Sequence, residues 1–213
     1  MASITSCGSR YHHGDLRKAL ILASARLIEE EGLLGFSMVA AARRLGVSNA
    51  APYRHFKDKN DLLNAVTDLA FFALGEEVER TARAPEHGAE DCIVALGMTY
   101  VDFLARHQPF YELMWGRLGR ELSAQEQLAT RASGFRFLIE ALDHWRLHHG
   151  IHDCRVESIA LAFWSMAHGL SVLQSHHAFT YYSADTDLET LLRHNTRIFL
   201  RGLACVSDPQ PGA

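Results

Sequence analysis

The amino-acid sequence predicts an all-α protein of about nine helices, in which a small N-terminal domain precedes a larger helical bundle. Leucine and alanine recur at helical spacing through most of the chain. Runs in which Val, Ile or Thr alternate with polar residues are scarce, and the predicted connections are short and contain Gly, Pro or Ser. These features disfavour strands, and the sequence has no internal repeat that would indicate a solenoid.

Helical spacing and capping residues define the first two elements. The first helix is predicted over residues 15–31, with Gly32 as its stop, because Leu16, Leu20, Ala23 and Leu27 repeat on one face. Ser37 is a suitable N-cap for a second helix over residues 38–45, which Gly46 ends.

The later elements follow from the same signals. Ser48 is a second cap and predicts a third helix over residues 48–55, and Asp58 caps a fourth over residues 59–80. Short Gly, Pro or Ser-Ala-Asp connections then separate five further helices. They are predicted over residues 85–107, 109–118, 122–149, 153–177 and 187–203.

The size and composition are those of an ordinary globular protein. The 213 residues fit one large domain or two small ones, and 48% hydrophobic with 22% charged residues allows a buried core. The four cysteines lie far apart without a C-x-x-C pair, so no disulfide framework or zinc site is expected.

The sequence predicts no membrane-spanning or secretory segment. The apolar stretch 66–74 contains Asp68 and falls short of the roughly 20 residues that a span needs. Residues 1–10 lack the apolar region of a signal peptide. We therefore expect a cytoplasmic protein without a membrane partner.

The charge is unevenly distributed along the chain. Residues 1–60 contain nine Lys/Arg and five Asp/Glu, a formal net charge of +4, whereas residues 61–213 contain twelve and twenty, or −8. A basic segment joined to an acidic one predicts that only the basic segment contacts a polyanion. We expect two domains, 1–60 and 61–213.

The second and third predicted helices have the layout of a helix-turn-helix. Ala42 is small enough for two helices to cross closely, and Gly46 can adopt the positive φ that the turn requires. The third predicted helix is short and is expected to expose Asn49, Ala50, Tyr53 and Arg54 to a major groove. A chance pair of short helices with this spacing is the alternative.

Five basic residues flank this unit within seventeen positions, which favours binding to DNA. They are Arg43, Arg44, Arg54, Lys57 and Lys59. The polar ends of Tyr53 and His55 lie among them and are placed to reach phosphate oxygens.

The pattern G-V-S-x-x-x-x-Y-x-H-F-x-x-K, from Gly46 to Lys59, resembles the tetracycline-repressor (TetR) family of bacterial transcriptional regulators. The resemblance extends over residues 11–69 and implies backbone contacts from Ser37, Tyr53, His55 and Lys59, with base contacts from Asn49, Ala50 and Arg54. At Met38 many members have a more polar residue. The full predicted DNA-binding set is Ser37, Met38, Ser48, Asn49, Ala50, Tyr53, Arg54, His55, Lys57 and Lys59.

The C-terminal domain contains a shorter resemblance. Trp164, His168 and Gly169 form the W-x-x-x-H-G element of one TetR subgroup, and the two rings share a helix face. They are interpreted either as a hydrogen-bonded structural pair or as the wall of a largely apolar ligand cavity. The predicted cavity residues are Met98, Tyr100, Phe103, Tyr111, Met114, Trp115, Phe135, Trp164 and His168.

A homodimer is expected, because a lone helix-turn-helix contacts few phosphates and two are spaced by about one turn of DNA. The resemblance implies that the last two long helices form the interface, although their apolar stripes are equally consistent with internal core. The predicted interface residues are Leu161, Ser165, Gly169, Val172, Leu188, Leu191, Leu192, Ile198 and Phe199.

The predicted function is therefore a sequence-specific transcriptional regulator, a ligand-responsive repressor whose dimer binds a palindromic operator in double-stranded DNA. A small, largely apolar effector would move the fourth helix and spread the recognition helices, provided that it prefers the spread state.

Two other classes of function remain as alternatives. His144 and His148 have the i, i+4 spacing of a metal pair, but no H-E-x-x-H pattern accompanies them. The sequence contains no nucleophile-elbow, P-loop or Rossmann pattern, so we expect no enzyme, cofactor or metal. A helical protein-interaction module without DNA function is the second alternative.

Overall fold

The computed structural model describes residues 15–84, 89–116, 134–152, 154–182, 185 and 187–207. These residues form nine α-helices and two 3₁₀ turns without a strand, which confirms the all-α prediction. The helices are α1 (Leu16–Gly35), α2 (Met38–Arg44), α3 (Lys59–Ala82), α4 (Ala89–Arg106), α5 (Tyr111–Met114), α6 (Phe135–His148), α7 (Val156–Ser175), α8 (Ala178–Tyr182) and α9 (Leu188–Ser207). The 3₁₀ turns are Pro52–Arg54 and Gln108–Phe110.

The chain divides into two compact units that do not coincide with the predicted boundary at residue 60. Unit 1 contains the described residues of 1–73 and 107–132, and unit 2 those of 74–106 and 133–213. The difference has two causes. The first part of α3 buries Leu62, Leu63 and Val66 in unit 1, and the turn Gln108–Phe110 packs against α1.

The bounds of the first helices follow the predicted caps. Asp15 accepts a hydrogen bond from the Lys18 amide at 3.0 Å, which begins α1. Gly32 interrupts α1 with φ 73° and ψ 173°, where the sequence predicted its end. At the start of α3, Asp58 Oδ1 accepts from the Asp61 amide at 2.9 Å.

The C-terminal end of α1 carries three glutamates, a charge that is unfavourable beside the carbonyl end of a helix. Unit 1 supplies partners for two of them. Glu30 forms a bidentate ion pair with Arg44, with both N···O distances 2.6 Å, and this pairing lowers the pKa of Glu30. Glu29 Oε1 lies 3.4 Å from Nδ1 of His107, which is 5% exposed. Acidic residues at this end therefore join α1 to α2 and to the turn at residue 107.

The later helices depart from the sequence-based bounds in several places. Residues 109–118 were predicted as one helix, but Pro109 lies in a 3₁₀ turn and α5 ends at Met114. Only the last part of the predicted helix 122–149 is described, as α6. Helix α8 was not predicted, and it follows His177, which has a left-handed φ of 54° and separates it from α7. Residues 85–88 and 117–133 lie outside the described residues.

Helix α4 is the centre of unit 2 and packs against α6, α7 and α9. Gly97 of α4 lies against side chains of both α7 and α9. A Cβ added there would lie 3.0 Å from both Leu192 Cδ2 and Phe163 Cζ, and these two side chains are almost completely buried. A side chain at position 97 would therefore require Leu192 and Phe163 to shift by a few tenths of an ångström.

One helix of the described chain, α7, is long and apolar enough to span a membrane by length and composition alone, with a mean hydropathy of 1.3. This helix was not among the apolar stretches considered as membrane spans from the sequence. A third of its apolar window is buried in the protein, including Ile159, Phe163 and Ala167. Core helices of globular proteins pass the same test of length and composition, so this one helix is weak evidence for a membrane span. Its exposed apolar residues include Leu161 and Leu173.

We predict that Gly97→Ala lowers the free energy of unfolding by about 1–3 kcal/mol, because the new methyl group must displace Leu192 or Phe163. Urea unfolding followed by circular dichroism measures the change. Gly202→Ala on α9 is the control, since its Cβ would contact nothing within 4 Å. This control should stay neutral or gain up to about 1 kcal/mol. Equal effects in the two variants would contradict the packing argument.

Candidate nucleic-acid interface and ligand site

The turn after α2 has the hydrogen bonds of a Schellman motif. Gly46 has φ 69°, and its N–H donates to Arg43 O at 3.1 Å. The Val47 N–H donates to Ala42 O, also at 3.1 Å. The predicted positive φ at Gly46 is confirmed. At the other end of α2, Ser37 Oγ accepts from the Ala40 amide at 3.0 Å, which confirms the predicted N-cap.

The prediction of an α-helix over residues 48–55 is wrong, because this segment forms successive 3₁₀-type turns. The Ala51 N–H donates to Ser48 O at 2.9 Å, and the His55 N–H donates to Pro52 O at 3.0 Å. An α-helix would need a hydrogen bond from the N–H of residue 52 to Ser48 O. Pro52 has no N–H, so this bond cannot form.

This segment nevertheless has an inner and an outer face. Ala51, Pro52 and Phe56 are buried, and the Phe56 side chain is only 1% exposed. The apolar inner face attaches the segment to unit 1 and turns the polar side chains outward. The exposed residues are Ser48, Asn49, Ala50, Tyr53, Arg54 and His55.

Four predicted DNA contacts lie outside this segment. Ser37, Lys57 and Lys59 are exposed. The predicted DNA contact by the Met38 side chain is wrong, because this side chain is 4% exposed and belongs to the core of unit 1. A methionine in the first turn of α2 is thus a packing residue, and the helical period alone did not indicate which face was inward.

Two basic residues have contacts that the sequence did not indicate. Arg44 is paired with Glu30, so its charge is balanced within unit 1. The guanidinium of Arg17 lies 5.0 Å from the centroid of the Phe56 ring, a cation–π arrangement on an exposed residue. Arg17 was not among the predicted contacts. Its only sequence signal is its place beside Lys18 in the first turn of α1.

The second candidate site is an aromatic cluster in unit 2. Tyr100 Oη and His168 Nδ1 are 2.7 Å apart and share a hydrogen bond between α4 and α7. The Trp164 ring lies 5.5 Å from His168, 6.4 Å from Tyr100 and 6.2 Å from Phe135, between ring centroids. The structure thus brings together four of the nine predicted cavity residues.

The His168 ring is half-buried, and burial lowers its pKa from the ordinary value of 6.5. The imidazole is therefore mainly neutral at pH 7. A neutral imidazole that carries its proton on Nε2 accepts a hydrogen bond at Nδ1, which fits a tyrosine hydroxyl as donor. The Tyr100–His168 hydrogen bond is compatible with both interpretations of Trp164 and His168, namely a structural pair and the wall of a ligand cavity.

The other predicted cavity residues divide between the two units. Tyr111, Met114 and Trp115 belong to unit 1, where Trp115 packs edge-on against Phe71 with centroids 5.1 Å apart. Phe103 is completely buried in unit 2.

Met98 lines a different feature, an open groove of about 620 Å³ on unit 2. Its lining is largely polar, and Arg193 joins Asp91 at 2.8 Å to Glu189 at 3.2 Å. Burial, with a smaller contribution from Glu189, raises the pKa of the Asp102 carboxyl. The groove therefore does not match the expected apolar cavity. Its lining residues are Thr81, Asp91, Val94, Ala95, Met98, Thr99, Asp102, Glu189 and Arg193.

The predicted dimer stripes divide into exposed and internal residues. Leu161 on α7 and Ile198 on α9 are 53% and 58% exposed, which is unusual for large apolar side chains. Leu192 is completely buried against α4, so its assignment to a subunit interface is wrong. Ser165 is exposed, and the other predicted residues are partly buried within the chain. These are Gly169, Val172, Leu188, Leu191 and Phe199.

The described residues contain no group of three or more side chains suited to hold a metal ion. His144 and His148 are both exposed on α6. His149 instead stacks on Trp145 with centroids 4.3 Å apart, and its Nδ1 lies 2.8 Å from Trp145 O.

The turn after α2 and the exposed face of residues 48–55 have the layout of a helix-turn-helix, the DNA-binding unit of many transcriptional regulators. Residues 20–66 match the family of bacterial regulatory proteins called the tetR family, and residues 93–199 match the tetracyclin repressor-like C-terminal domain. The chain therefore belongs to the TetR family of DNA-binding transcriptional regulators.

Three regulators of known sequence illustrate the similarity. The transcriptional regulator AcrR of Shigella flexneri is 33% identical over 72 residues, which cover 33% of this chain and 34% of AcrR. The regulator BetI of Serratia proteamaculans is 38% identical over 68 residues, again 34% of its length. The regulator YobS of Bacillus subtilis is 25% identical over 193 residues, which are 89% of this chain and 93% of YobS.

Solved structures show the same fold. A protein of unknown function from Rhodococcus sp. RHA1 superposes with a TM-score of 0.78 and 27% identity, covering 92% of this chain and 100% of that one. The TetR family regulator PfmR of Thermus thermophilus has a TM-score of 0.57 at 21% identity, covering 85% and 97%.

The lowered pKa of His168 predicts a pH dependence of stability. Between that pKa and 6.5 the unfolded chain binds more protons than the folded chain, so the free energy of unfolding increases with pH across this window. In His168→Gln this contribution should disappear, as measured by urea unfolding at a series of pH values. His152→Gln, at an exposed position, is the control and should retain it. A wild-type pH profile in His168→Gln would contradict the assignment.

Proposed function

We propose that the protein is a ligand-responsive repressor that binds a palindromic operator as a homodimer and leaves it when a small, largely apolar effector binds. The observation that carries the proposal is the exposed polar face of residues 48–55 above the buried Ala51, Pro52 and Phe56. Such a segment offers side chains to base edges and phosphates without disturbing the core of unit 1.

The proposed DNA contacts divide by chemistry. Asn49, Ala50 and Arg54 would contact base edges, because an amide, a methyl group and a guanidinium match different edges of the major groove. The proposed phosphate contacts are Ser37, Ser48, Tyr53, His55 and Lys57, all of which are exposed. Lys59 is a further proposed phosphate contact, because its side chain is exposed and an ammonium group has two more N–H donors besides the one that Phe36 O accepts.

The proposed dimer interface lies on α7 and α9. Exposed Leu161 and Ile198, together with exposed Leu173 on α7, give these two helices an apolar surface that one protomer leaves in contact with water. Ser165 and Gly169 add small residues to α7 that allow a close helix crossing. Two copies joined there would present two helix-turn-helix units to DNA.

The proposed effector site is the aromatic cluster of Tyr100, Phe135, Trp164 and His168. The last three side chains are only partly buried, and the Tyr100–His168 hydrogen bond gives one polar pair among apolar rings, a composition typical of small-molecule sites. An effector acts only if it prefers the conformation with low DNA affinity. Its influence is expected to act on α3, which continues from unit 1 into unit 2.

We also propose that the chain is a member of the TetR subgroup with a W-x-x-x-H-G element, on the basis of Trp164, His168 and Gly169. The protein is proposed to be cytoplasmic and without enzymatic activity, in keeping with regulators of this family.

Duplex selection from a random-sequence library tests DNA binding directly. The selected duplexes should share a palindromic site. Their affinity should decrease steeply with salt, so that log affinity against log salt concentration has a slope of about −0.9 for each neutralised phosphate. Affinity that is independent of salt would instead favour the protein-interaction module.

Asn49 and Tyr53 should have separable roles. Asn49→Ala should reduce discrimination between the selected duplex and single-base variants by about 1–3 kcal/mol at one position. Tyr53→Ala should weaken binding to every duplex by a similar factor, because phosphate contacts do not depend on sequence. Competition binding measures both effects. A uniform loss in Asn49→Ala would remove its assignment as a base contact.

The dimer proposal predicts that Leu161→Glu combined with Ile198→Glu yields a folded monomer, because two buried charges per copy are costly at an apolar interface. Sedimentation velocity measures the mass, and circular dichroism checks the helix content. Leu147→Glu is the matched control, an exposed apolar residue on α6 that should leave the dimer intact. A dimeric double variant would disprove this interface.

A further inference from the structure

The side chain of Arg54 keeps its hydrogen-bond donors for a partner outside the chain. It is exposed, and in the part of the chain that the structure describes its guanidinium forms no hydrogen bond or ion pair. Arg44 of α2 differs, because two of its nitrogens donate to Glu30 at 2.6 Å each. The planar set of donors on Arg54 therefore remains available for a flat pair of acceptors.

The backbone that carries Arg54 is fixed by local hydrogen bonds. The Arg54 amide donates to Ala51 O at 3.2 Å, and the amides of His55 and Phe56 both donate to Pro52 O at 3.0 Å. Pro52 has a ring-locked φ, and it is buried together with Phe56. Because the Arg54 Cα is held in place, its side chain leaves the outer face in a defined direction, which favours a contact with strict geometry.

Asn49 lies at the other end of the same exposed segment. Its carboxamide is exposed and forms no hydrogen bond to the described residues. The preceding carbonyl, Ser48 O, accepts from the Ala51 amide at 2.9 Å, so this turn is also fixed. At a rise of about 2.0 Å per residue in 3₁₀ turns, Asn49 and Arg54 are separated by about 10 Å. This distance exceeds the roughly 3.4 Å between base pairs, so the two side chains would contact different base pairs.

The chemistry of the two side chains indicates which bases they match. Guanine presents the acceptors O6 and N7 in the major groove, which suit two N–H groups of one guanidinium. Adenine presents the acceptor N7 and a donor on N6, which suit the donor and acceptor of a carboxamide. Residues 48–55 contain no Asp or Glu, the side chains that accept from the amino group of cytosine.

We infer that each operator half-site contains a guanine contacted by Arg54 and, at a different base pair, an adenine contacted by Asn49. This inference rests on the proposed DNA-binding function and deepens it, because it names the bases that determine specificity. Arg54 is the sharper case, since a guanidinium can also bind a phosphate and the two roles have different consequences.

An exchange of specificity tests the role of Arg54. The full-length Arg54→Gln variant, selected again on the random-sequence library, should prefer adenine where the wild-type protein prefers guanine, because glutamine matches adenine. Arg54→Lys should keep the preference for guanine. Arg43→Gln is the matched control. It removes another exposed arginine of the helix-turn-helix that is outside the proposed DNA-binding set, and it should leave every preferred base unchanged.

A base analogue tests the same contact with the wild-type protein. Replacing that guanine by 7-deazaguanine in one half-site removes the N7 acceptor. The affinity should decrease by about tenfold, the equivalent of one hydrogen bond to a charged group. Arg54→Ala should bind both duplexes equally, whereas Asn49→Ala should keep the tenfold difference, as expected if the analogue affects Arg54 alone.

The outcomes separate the inference from the proposed function. Equal affinity of the wild-type protein for duplexes with guanine and with 7-deazaguanine, at each guanine of the selected site, would overturn the inference. So would an Arg54→Ala variant that loses affinity for all duplexes by one factor and whose salt slope falls by about 0.9, because Arg54 would then be a phosphate contact. In both cases the proposed function would stand. A wild-type protein without salt-dependent DNA binding would instead overturn the proposed function, and the inference with it.

Discussion

The left-handed backbone at Gly46 is the constraint on which the exposed face of residues 48–55 depends. With φ 69° this residue ends α2 and reverses the chain direction, so that the 3₁₀ segment can return Phe56 to the core. A residue with a side chain would pay strain at that angle. Each outward side chain from Ser48 to His55 owes its orientation to this turn, because the inner residues can reach the core only after the chain has reversed.

Electrostatic pairing then separates structural charges from those available to DNA. The basic residues of 1–60 differ in their partners within unit 1, since Arg44 forms an ion pair with Glu30 and the Lys59 ammonium donates to the Phe36 carbonyl. From the sequence alone, the glutamates at the end of α1 are expected to destabilise this helix, because they place negative charge beside its carbonyl end. In the structure one of them forms a link between α1 and α2, so the unfavourable helix-end charge is offset by a contact between elements.

Capping residues and helical spacing predicted most of the helices. Contacts between residues far apart in the sequence were not predicted. Ser37 and Asp58 predicted helix starts correctly because a cap acts within three residues of its own position. The 3₁₀ geometry around Pro52 was missed, although its cause was visible in the missing amide. Met38 and Leu192 could not be assigned correctly, because helical spacing shows that residues share a face without showing what covers that face. In the same way, no spacing rule connects Tyr100 to His168, which lie 68 positions apart.

The Tyr100–His168 hydrogen bond has a consequence for the effector site proposed in unit 2. With the imidazole proton on Nε2, the phenol proton and the Nδ1 lone pair satisfy one another, so a hydrocarbon group could lie against Trp164 without breaking this bond. The Nε2–H of the same ring is a donor that a carbonyl oxygen could accept from, again with the internal bond intact. A polar guest would thus be recognised on the opposite edge of the imidazole from the tyrosine.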